Sequence, residues 1–503
     1  MANPLSRPEV DSEHTGESWL TRPLSSWRCV LGWCAATGAF MACVSVPGGP
    51  AVGDAFEIVY PTWAVAHGQL TCMYPPHPPY FQSFAAPLYP LIDGAVGFVT
   101  RIGHGAPFPT GSALGHNCAR ALDAMNHWSE KGGALSPTLW SGYVSWLILM
   151  AGLIWLLRAA GRGRDGWEPT ALVVVACLPP VWLCIEMYAH PQDLVAMGFA
   201  LGAMACALRS QWVGAGILIA LAILTQQYAL LVAIPLFVVA PTARKLRYVV
   251  AAAATAVLIA VPLLAVTSGA AARSIFAGSG SAGGFGGTVV WEMHVRVGAP
   301  LLLVSRLPPL LLSLALAWYV VRHLGPSALH PTVLLSLVAV SLSFRLVFED
   351  NLFAYYFMAL TVVLVVLDVV HGRIRESLVA WVAMITAVNS ESITIQWRRS
   401  WGMDAGHWIP IIVVIVGLLL IVLDVLRHAV GWNVVMWAAT VIAALMVWQQ
   451  SGDPLSYQLA PWIWQIVLVA VGIALAASPL LALFRRQSEL QPAADVESTA
   501  SLS

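Results

Sequence analysis

Long apolar segments recur along almost the whole chain, separated by short polar links. A helix needs about 20 largely apolar residues to cross the hydrocarbon core of a bilayer. Fourteen segments approach that length and composition, so the sequence predicts an all-α polytopic bundle of transmembrane helices. The short pair between residues 212 and 241 is the weakest part of this prediction. The predicted spans are 28–47, 137–157, 169–187, 193–208, 212–225, 227–241, 247–267, 300–321, 328–346, 352–370, 377–394, 408–426, 432–448 and 462–484.

The charge content excludes two broad classes of protein. Only 10% of the 503 residues are charged, against about 25% in a soluble domain. Too few charged groups remain to cover the surface of a soluble globular enzyme. Lys and Arg together number 25, as do Asp and Glu, so the net charge is zero. A nucleic-acid binder normally carries a basic surface, and we therefore expect membrane lipid but no nucleic acid among the partners.

The basic residues predict the orientation of the chain. They concentrate in short links such as RAAGRGR at 158–164 and TARKLR at 242–247. Cytoplasmic loops carry such an excess of Lys and Arg, so both termini are predicted to lie in the cytoplasm of a cell-membrane protein. The first span has no small-residue cleavage signal, which favours a retained helix over a signal peptide.

Two predicted outer loops are much longer than the other links. The first contains amphipathic stretches that suggest interfacial helices, and the second contains the flexible tract GSGSAGGFGG. Loops of such length are usually functional or disordered. The predicted organisation is a cytoplasmic segment 1–27, a transmembrane module 28–370 with outer loops 48–135 and 268–299, C-terminal spans 371–486, and a disordered cytoplasmic tail 487–503.

Acidic residues gather at the predicted outer ends of the spans. Charges at membrane depth cost about 2.5–3.5 kcal/mol each on insertion scales, so each requires a reason. Acidic groups at one water–membrane boundary suit a proton-abstracting site or a cation site. The polar residues at these ends are Asp54, Glu57, Glu186, His190, Asp193, Glu349 and Asp350.

Most of these residues also have a purely structural interpretation. Asp54 is alternatively no more than a solvated helix end, and Glu57 either shares a helical face with it or lines solvent. His190 and Asp193 are alternatively N-terminal capping residues of the span that follows them. These alternatives remain open at the level of sequence.

The last acidic pair and the cysteines leave similar choices. Glu349 and Asp350 are at least as well placed to pair with Arg345, one turn earlier, as to take part in catalysis. No P-loop, HExxH or paired CxxC motif occurs, so no cofactor or metal site is predicted. Cys72 and Cys118 share the first outer loop, where an oxidising exterior would permit but does not require a disulfide.

Four segments resemble a known family. They are GDAFEIVYPTWAVAHGQLTCMYPP at 53–76, HPQD at 190–193, GAGILIALAILTQQYALLVAIPLFVVAPTARKLR at 214–247 and NLFAYYF at 351–357. In order and predicted topology they resemble the GT-C superfamily of polyprenyl-phosphate-sugar-dependent glycosyltransferases, closest to glycosyltransferase family 87, the bacterial mannosyltransferase branch. The resemblance covers roughly residues 28–370.

The resemblance implies roles for individual residues. Asp54 matches the acidic residue that acts as, or near, the general base, with Glu57 beside it as a second catalytic candidate. Relatives often have Lys where this chain has Gln226 or Gln227, and an amide lacks the charge-assisted strength of Lys toward a phosphate. His294, Arg296 or Arg345 must then supply the charge. The implied substrate-binding set is Tyr60, Tyr74, His190, Asp193, Gln226, Gln227, His294, Arg296, Arg345, Glu349 and Asp350.

The resemblance also implies a reaction. The expected enzyme moves a sugar, with mannose or arabinose favoured, from a polyprenyl-phosphate donor to a hydroxyl of a cell-envelope glycan or glycolipid, inverting the anomeric carbon. No cofactor is expected beyond the lipid-linked donor. A transporter or lipid flippase is the first alternative, although it would be expected to place charges at mid-span. A catalytically silent GT-C-like scaffold is the second, and the two glutamines favour it.

Overall fold

The computed structural model of the protein describes residues 33–34, 36–38, 40, 88, 135–162, 167–186, 190–266, 299–349, 352–388, 466 and 468–485. These residues form helices and turns, with no strand among them. The helices are α1 (Leu135–Ala159), α2 (Trp167–Ala176), α3 (Pro179–Glu186), α4 (Pro191–Leu208), α5 (Trp212–Thr225), α6 (Leu230–Val239), α7 (Thr242–Val266), α8 (Ala299–Leu324), α9 (Pro331–Phe348), α10 (Met358–Val370), α11 (Glu376–Val388) and α12 (Leu468–Arg485).

Six of these helices are long and apolar enough to cross a membrane, namely α1, α4, α7, α8, α9 and α12. Three shorter apolar segments accompany them, at Trp212–Thr225, Gln227–Val239 and Tyr355–Val370. The prediction of an all-α membrane bundle is therefore confirmed for the described part of the chain. The predicted spans 408–426 and 432–448, and most of 28–47, lie outside that part.

One predicted span is not a single straight helix. Between residues 167 and 186 the chain forms α2 and α3, which are bent by 53° relative to each other. Pro179 and Pro180 begin α3, and a proline has no backbone N–H to continue the hydrogen bonding of a preceding helix. The segment predicted as the span 169–187 therefore consists of two helices with a bend between them.

A second break separates α5 from α6. Gln226 has an extended backbone, with φ −154° and ψ 134°, and a single 3₁₀ turn at Gln227–Ala229 precedes α6. The break places the two glutamines at the junction between α5 and α6, near the beginning of α4 and the end of α9. The extended residue thereby directs polar side chains into the space among these helix ends.

Close backbone packing holds the first half of the bundle together. α4 lies between α1 and α5, and α5 packs against α7. A Cβ atom built on Gly198 of α4 would lie 2.6 Å from the carbonyl oxygen of Ile148 in α1, so only glycine fits between these two helices. Small residues at helix crossings are typical of membrane proteins because they let backbones approach closely.

The outer surface of the bundle is apolar along α7 and α8. Leu258 of α7 is 74% exposed, and Leu307, Leu311 and Trp318 of α8 are also exposed. α8 packs against α6 and α9 on its other side. Contiguous exposed apolar surface on long helices is what a lipid-facing flank requires.

Candidate functional site

A cavity of about 900 Å³, measured with its open mouth, lies where one set of helix ends meets. The ends belong to α4, α6, α8 and α9 and to the 3₁₀ turn Ala354–Phe357. Its lining contains charged, neutral polar and apolar groups. The charged residues are Arg306, Arg345 and Glu349; the neutral polar ones are His190, Gln192, Gln226, Gln227, Tyr228, Ser305, Tyr355 and Tyr356; the apolar ones are Leu230, Leu231, Pro309 and Leu310.

Glu349 joins two arginines from different helices. Arg345 Nε, one helical turn earlier on α9, donates to Glu349 Oε2 at 2.7 Å, and Arg306 Nη1 from α8 donates to Oε1 at 2.8 Å. The Glu349 side chain is only 2% exposed. Burial alone would raise the pKa of Glu349, but the two guanidinium groups outweigh it and hold that pKa below its ordinary value. The predicted pairing with Arg345 is confirmed.

Two aromatic rings hold the Arg345 side chain in place. The Arg345 guanidinium lies 5.2 Å from the ring centre of Tyr228 and 4.8 Å from that of Tyr356. Both distances are within the range of a cation–π interaction. Tyr228 OH also donates to the main-chain oxygen of Asp193 at 2.7 Å. Arg345 is thus held by two tyrosines and one carboxylate, so its guanidinium has a defined position in the cavity wall.

His190 is buried in the wall as a neutral imidazole. Its ring stacks on Tyr355 with 4.6 Å between centroids and an interplanar angle of 20°, and Gln192 Nε2 lies 2.7 Å from Nδ1. Burial, aided by the charge of Arg345, lowers the pKa of His190 to about 3. His190 occupies the N-cap position of α4 without a side-chain capping bond. The capping alternative for His190 thus holds for its position, but its ring packs on Tyr355 and makes no side-chain capping bond.

Asp193 lies in the first turn of α4, beneath the cavity lining. It is 3% exposed, and its Oδ2 accepts a hydrogen bond from Gln226 Nε2 at 3.4 Å. A carboxylate in the first helical turn is favoured by the helix dipole, as the capping alternative for Asp193 supposed. Gln226 therefore faces both the cavity and this carboxylate, whereas Gln227 only lines the cavity.

The structure brings together part of the set predicted from sequence. His190, Gln226, Gln227, Arg345 and Glu349 line one cavity, and Asp193 contacts it through Gln226. The remaining candidates lie outside the described residues: Asp54, Glu57, Tyr60, Tyr74, His294, Arg296 and Asp350.

The sequence analysis missed the other lining residues, including the polar residues Gln192, Tyr228, Ser305, Arg306, Tyr355 and Tyr356. Tyr228, Tyr355 and Tyr356 were read as parts of apolar motifs, and Arg306 only as a basic residue near a span end. The depth of Arg306 was the available signal, since it follows the predicted outer loop 268–299 by about two helical turns. Its contact with Glu349 spans 43 residues of sequence, which no local pattern reveals.

Within the described residues, no group of three or more His, Cys, Asp or Glu side chains is arranged to hold a metal ion. Compared with models of known protein families, the chain matches none. A comparison with curated proteins finds no significant match either. The site must therefore be interpreted from its own chemistry.

Proposed function

We propose that the protein is an integral-membrane glycosyltransferase of the GT-C type, acting on a sugar carried by a polyprenyl phosphate. The observation that carries this proposal is the composition of one cavity. It combines two guanidinium groups, a wall of neutral hydrogen-bonding and aromatic groups, and an apolar wall. A lipid-linked sugar phosphate has three matching parts: an anion, a polyhydroxyl ring and a hydrocarbon chain.

The two arginines supply the binding site for the phosphate. A guanidinium presents a planar array of donors that fits phosphate oxygens in a bidentate manner. Arg345 is held in place by Tyr228, Tyr356 and Glu349, so little ordering is needed when the anion binds. In this proposal, the positive charge that Gln226 and Gln227 lack is supplied by Arg306 of α8 and Arg345 of α9.

The apolar wall suits the prenyl chain. Leu230 and Leu231 come from α6, and Pro309 and Leu310 come from α8. Leu311, the next residue along α8, is exposed on the apolar outer surface. We propose that the hydrocarbon chain runs from the lipid-facing side of α8 along this apolar wall toward the arginines.

The alternation of the helices supports an outer location for the cavity. α4, α6 and α8 begin at the cavity end, and α9 ends there. The opposite end of the bundle carries the basic links, including Arg158, Arg162, Arg244, Lys245 and Arg322. By the positive-inside rule that end is cytoplasmic, and the proposed fourteen-span topology has both termini on the same side.

The reaction is a direct displacement at the anomeric carbon. A hydroxyl oxygen of the acceptor, on a cell-envelope glycan or glycolipid, bonds to that carbon as the bond between carbon and phosphate oxygen breaks. The bonding electron pair leaves with the polyprenyl phosphate, and the hydroxyl proton passes to a carboxylate. General-base help of this kind contributes typically 10²–10⁴-fold, and cationic donors stabilise the departing phosphate.

Asp54, with Glu57 beside it, is the proposed base. Glu349 is poorly suited to that role, since both of its oxygens accept hydrogen bonds from arginines. The donor sugar is proposed to be mannose or arabinose, and the neutral polar wall that includes His190 and Gln192 would contact it.

The position of the ion pairs favours an enzyme over a transporter. The described pairs lie at the two ends of the bundle. Arg306 and Arg345 pair with Glu349 at one end, whereas Arg158 with Glu168 and Arg375 with Asp368 lie at the other. A transporter is expected to carry its essential charges near the bilayer midplane.

The test uses the full chain in membranes supplied with radiolabelled polyprenyl-phosphate mannose or polyprenyl-phosphate arabinose. Transfer of one label to an endogenous glycan or glycolipid is the expected result. The Asp54→Asn variant should insert normally and lose transfer, whereas Asp93→Asn, in the same predicted loop, should keep it. If neither label is transferred and the intact donor moves across the bilayer instead, the protein is a flippase and the proposed enzyme function is refuted.

A further inference from the structure

The charged side chains that line the cavity carry one net positive charge, and the Asp193 carboxyl lies behind Gln226, outside this lining. Among the described lining residues these groups are Arg306, Arg345 and Glu349. His190 contributes no charge, because its pKa lies near 3. Glu349 is the one anion in this set, and it contacts both cations at hydrogen-bond distance.

The proposed reaction changes the charge of the lipid that occupies the cavity. The donor is a phosphodiester and carries one negative charge. When the glycosidic carbon–oxygen bond breaks, its electron pair stays on the phosphate oxygen, and the acceptor proton goes to the base. The product, polyprenyl phosphate, is a monoester with a second pKa near 6, so it carries two negative charges at pH 8.

Two uncompensated arginines would hold such a product tightly. Coulomb energy scales with the product of the charges, so each additional positive charge in the cavity favours a dianion over a monoanion. Strong binding of the leaving lipid would slow turnover. A negative charge fixed between the arginines reduces this excess without removing the hydrogen-bond donors that recognise phosphate.

We propose that Glu349 sets the charge selectivity of the cavity, weakening the binding of the dianionic lipid phosphate product relative to the monoanionic sugar-bearing donor. This inference rests on the proposed function and assigns Glu349 a positioning and charge-setting role. Glu349 acts on the lipid through Arg306 and Arg345, which line the cavity beside it. Its two arginine partners keep it ionised throughout the cycle, despite its near-complete burial.

The test compares two affinities in one variant. Dissociation constants of polyprenyl phosphate and polyprenyl-phosphate mannose are measured for the full chain in nanodiscs at pH 8 by native mass spectrometry. Glu349→Gln should strengthen the binding of polyprenyl phosphate relative to that of polyprenyl-phosphate mannose by about tenfold or more. The reason is that a unit negative charge within several ångströms of the phosphate has been removed. Glu168→Gln removes a carboxylate of similar burial, paired with Arg158 at the opposite end, and should leave the ratio unchanged.

A second pair of variants keeps the test decisive if Glu349→Gln folds poorly. Arg306→Gln alone leaves the lining with no net charge, and it should weaken the binding of polyprenyl phosphate relative to that of polyprenyl-phosphate mannose. The double variant Arg306→Gln with Glu349→Gln restores one positive charge and should return the ratio close to that of the wild type. Product inhibition of sugar transfer should follow the same order.

The outcomes separate this inference from the proposed function. Wild-type protein that binds neither lipid would refute the proposed function itself. Wild-type protein that binds both, with Glu349→Gln weakening them equally or leaving their ratio unchanged, would overturn only the charge-setting role, since a merely structural glutamate does not distinguish a monoanion from a dianion.

Discussion

The ion pair of Arg345 with Glu349 is expected to stabilise the bundle much more than that of Arg158 with Glu168. The two pairs have similar nitrogen–oxygen distances, 2.7 and 2.6 Å. Their surroundings differ, because Arg345 is 14% exposed whereas Arg158 is 57% exposed. The two glutamates are almost equally buried, so the difference lies in the arginines: water reaches the Arg158 guanidinium and screens it, but hardly reaches that of Arg345.

The magnitude follows from what each substitution leaves behind. Removing one partner of a buried pair costs about 3–5 kcal/mol, but Glu349 would keep Arg306 as a partner. Arg345→Met would also lose its contacts with two tyrosine rings, worth about 0.5–1 kcal/mol each. We expect Arg345→Met to lower the free energy of unfolding by about 3 kcal/mol, and Arg158→Met by no more than about 1 kcal/mol.

The assay is a double-mutant cycle for each pair. Unfolding is followed by tryptophan fluorescence in mixed micelles of rising SDS content, for both single variants and the double variant. Arg345→Met with Glu349→Gln should show a coupling of about 2 kcal/mol, within the range for residues in one ion-pair network. The reasoning is refuted if the two substitutions are additive within about 0.5 kcal/mol, or if the Arg158 pair couples equally strongly.

Two further predictions concern acid stability and helix packing. Between pH 6.5 and 5, His190 takes up a proton when the chain unfolds, but not while it is folded with a pKa of about 3. The free energy of unfolding therefore decreases as the pH is lowered, and at pH 5 it is about 2 kcal/mol below its value at neutral pH. His190→Gln should flatten this part of the thermal-stability curve, and parallel curves for variant and wild type would contradict the assignment. Gly198→Ala would push a Cβ against the carbonyl oxygen of Ile148 and should cost about 1–3 kcal/mol. A Cβ at Gly202 on the same helix would meet only side-chain atoms, Leu218 at 3.3 Å and the Trp155 ring at 3.5 Å, so Gly202→Ala should cost clearly less in the same unfolding assay.

The helices were largely predictable because their signal is local. Apolar runs of membrane-spanning length correctly predicted α1, α4, α7, α8 and α9, with ends wrong by a few residues. The bend between α2 and α3 was missed because the mean hydropathy of the segment stays high across the break. Pro179 and Pro180 were the sequence signal for it.

The cavity was only partly predictable because its contacts join distant segments. The spacing of four residues between Arg345 and Glu349 is a helical spacing, and it predicted their pairing. The contact of Arg345 with Tyr228 depends on how α6 packs against α9, and that of Arg306 with Glu349 on how α8 does. Periodicity and composition carry no information on such pairings, whereas burial of the charges makes them necessary.

The bound position of the donor phosphate tests the central claim most directly. The measurement is a structure of the full chain in nanodiscs with polyprenyl-phosphate mannose. We expect the phosphate within hydrogen-bond distance of the Arg345 and Arg306 guanidinium groups, about 3 Å between nitrogen and oxygen, with the prenyl chain along Leu310 of α8. A head group bound away from both arginines, with the cavity occupied only by water, would contradict the account.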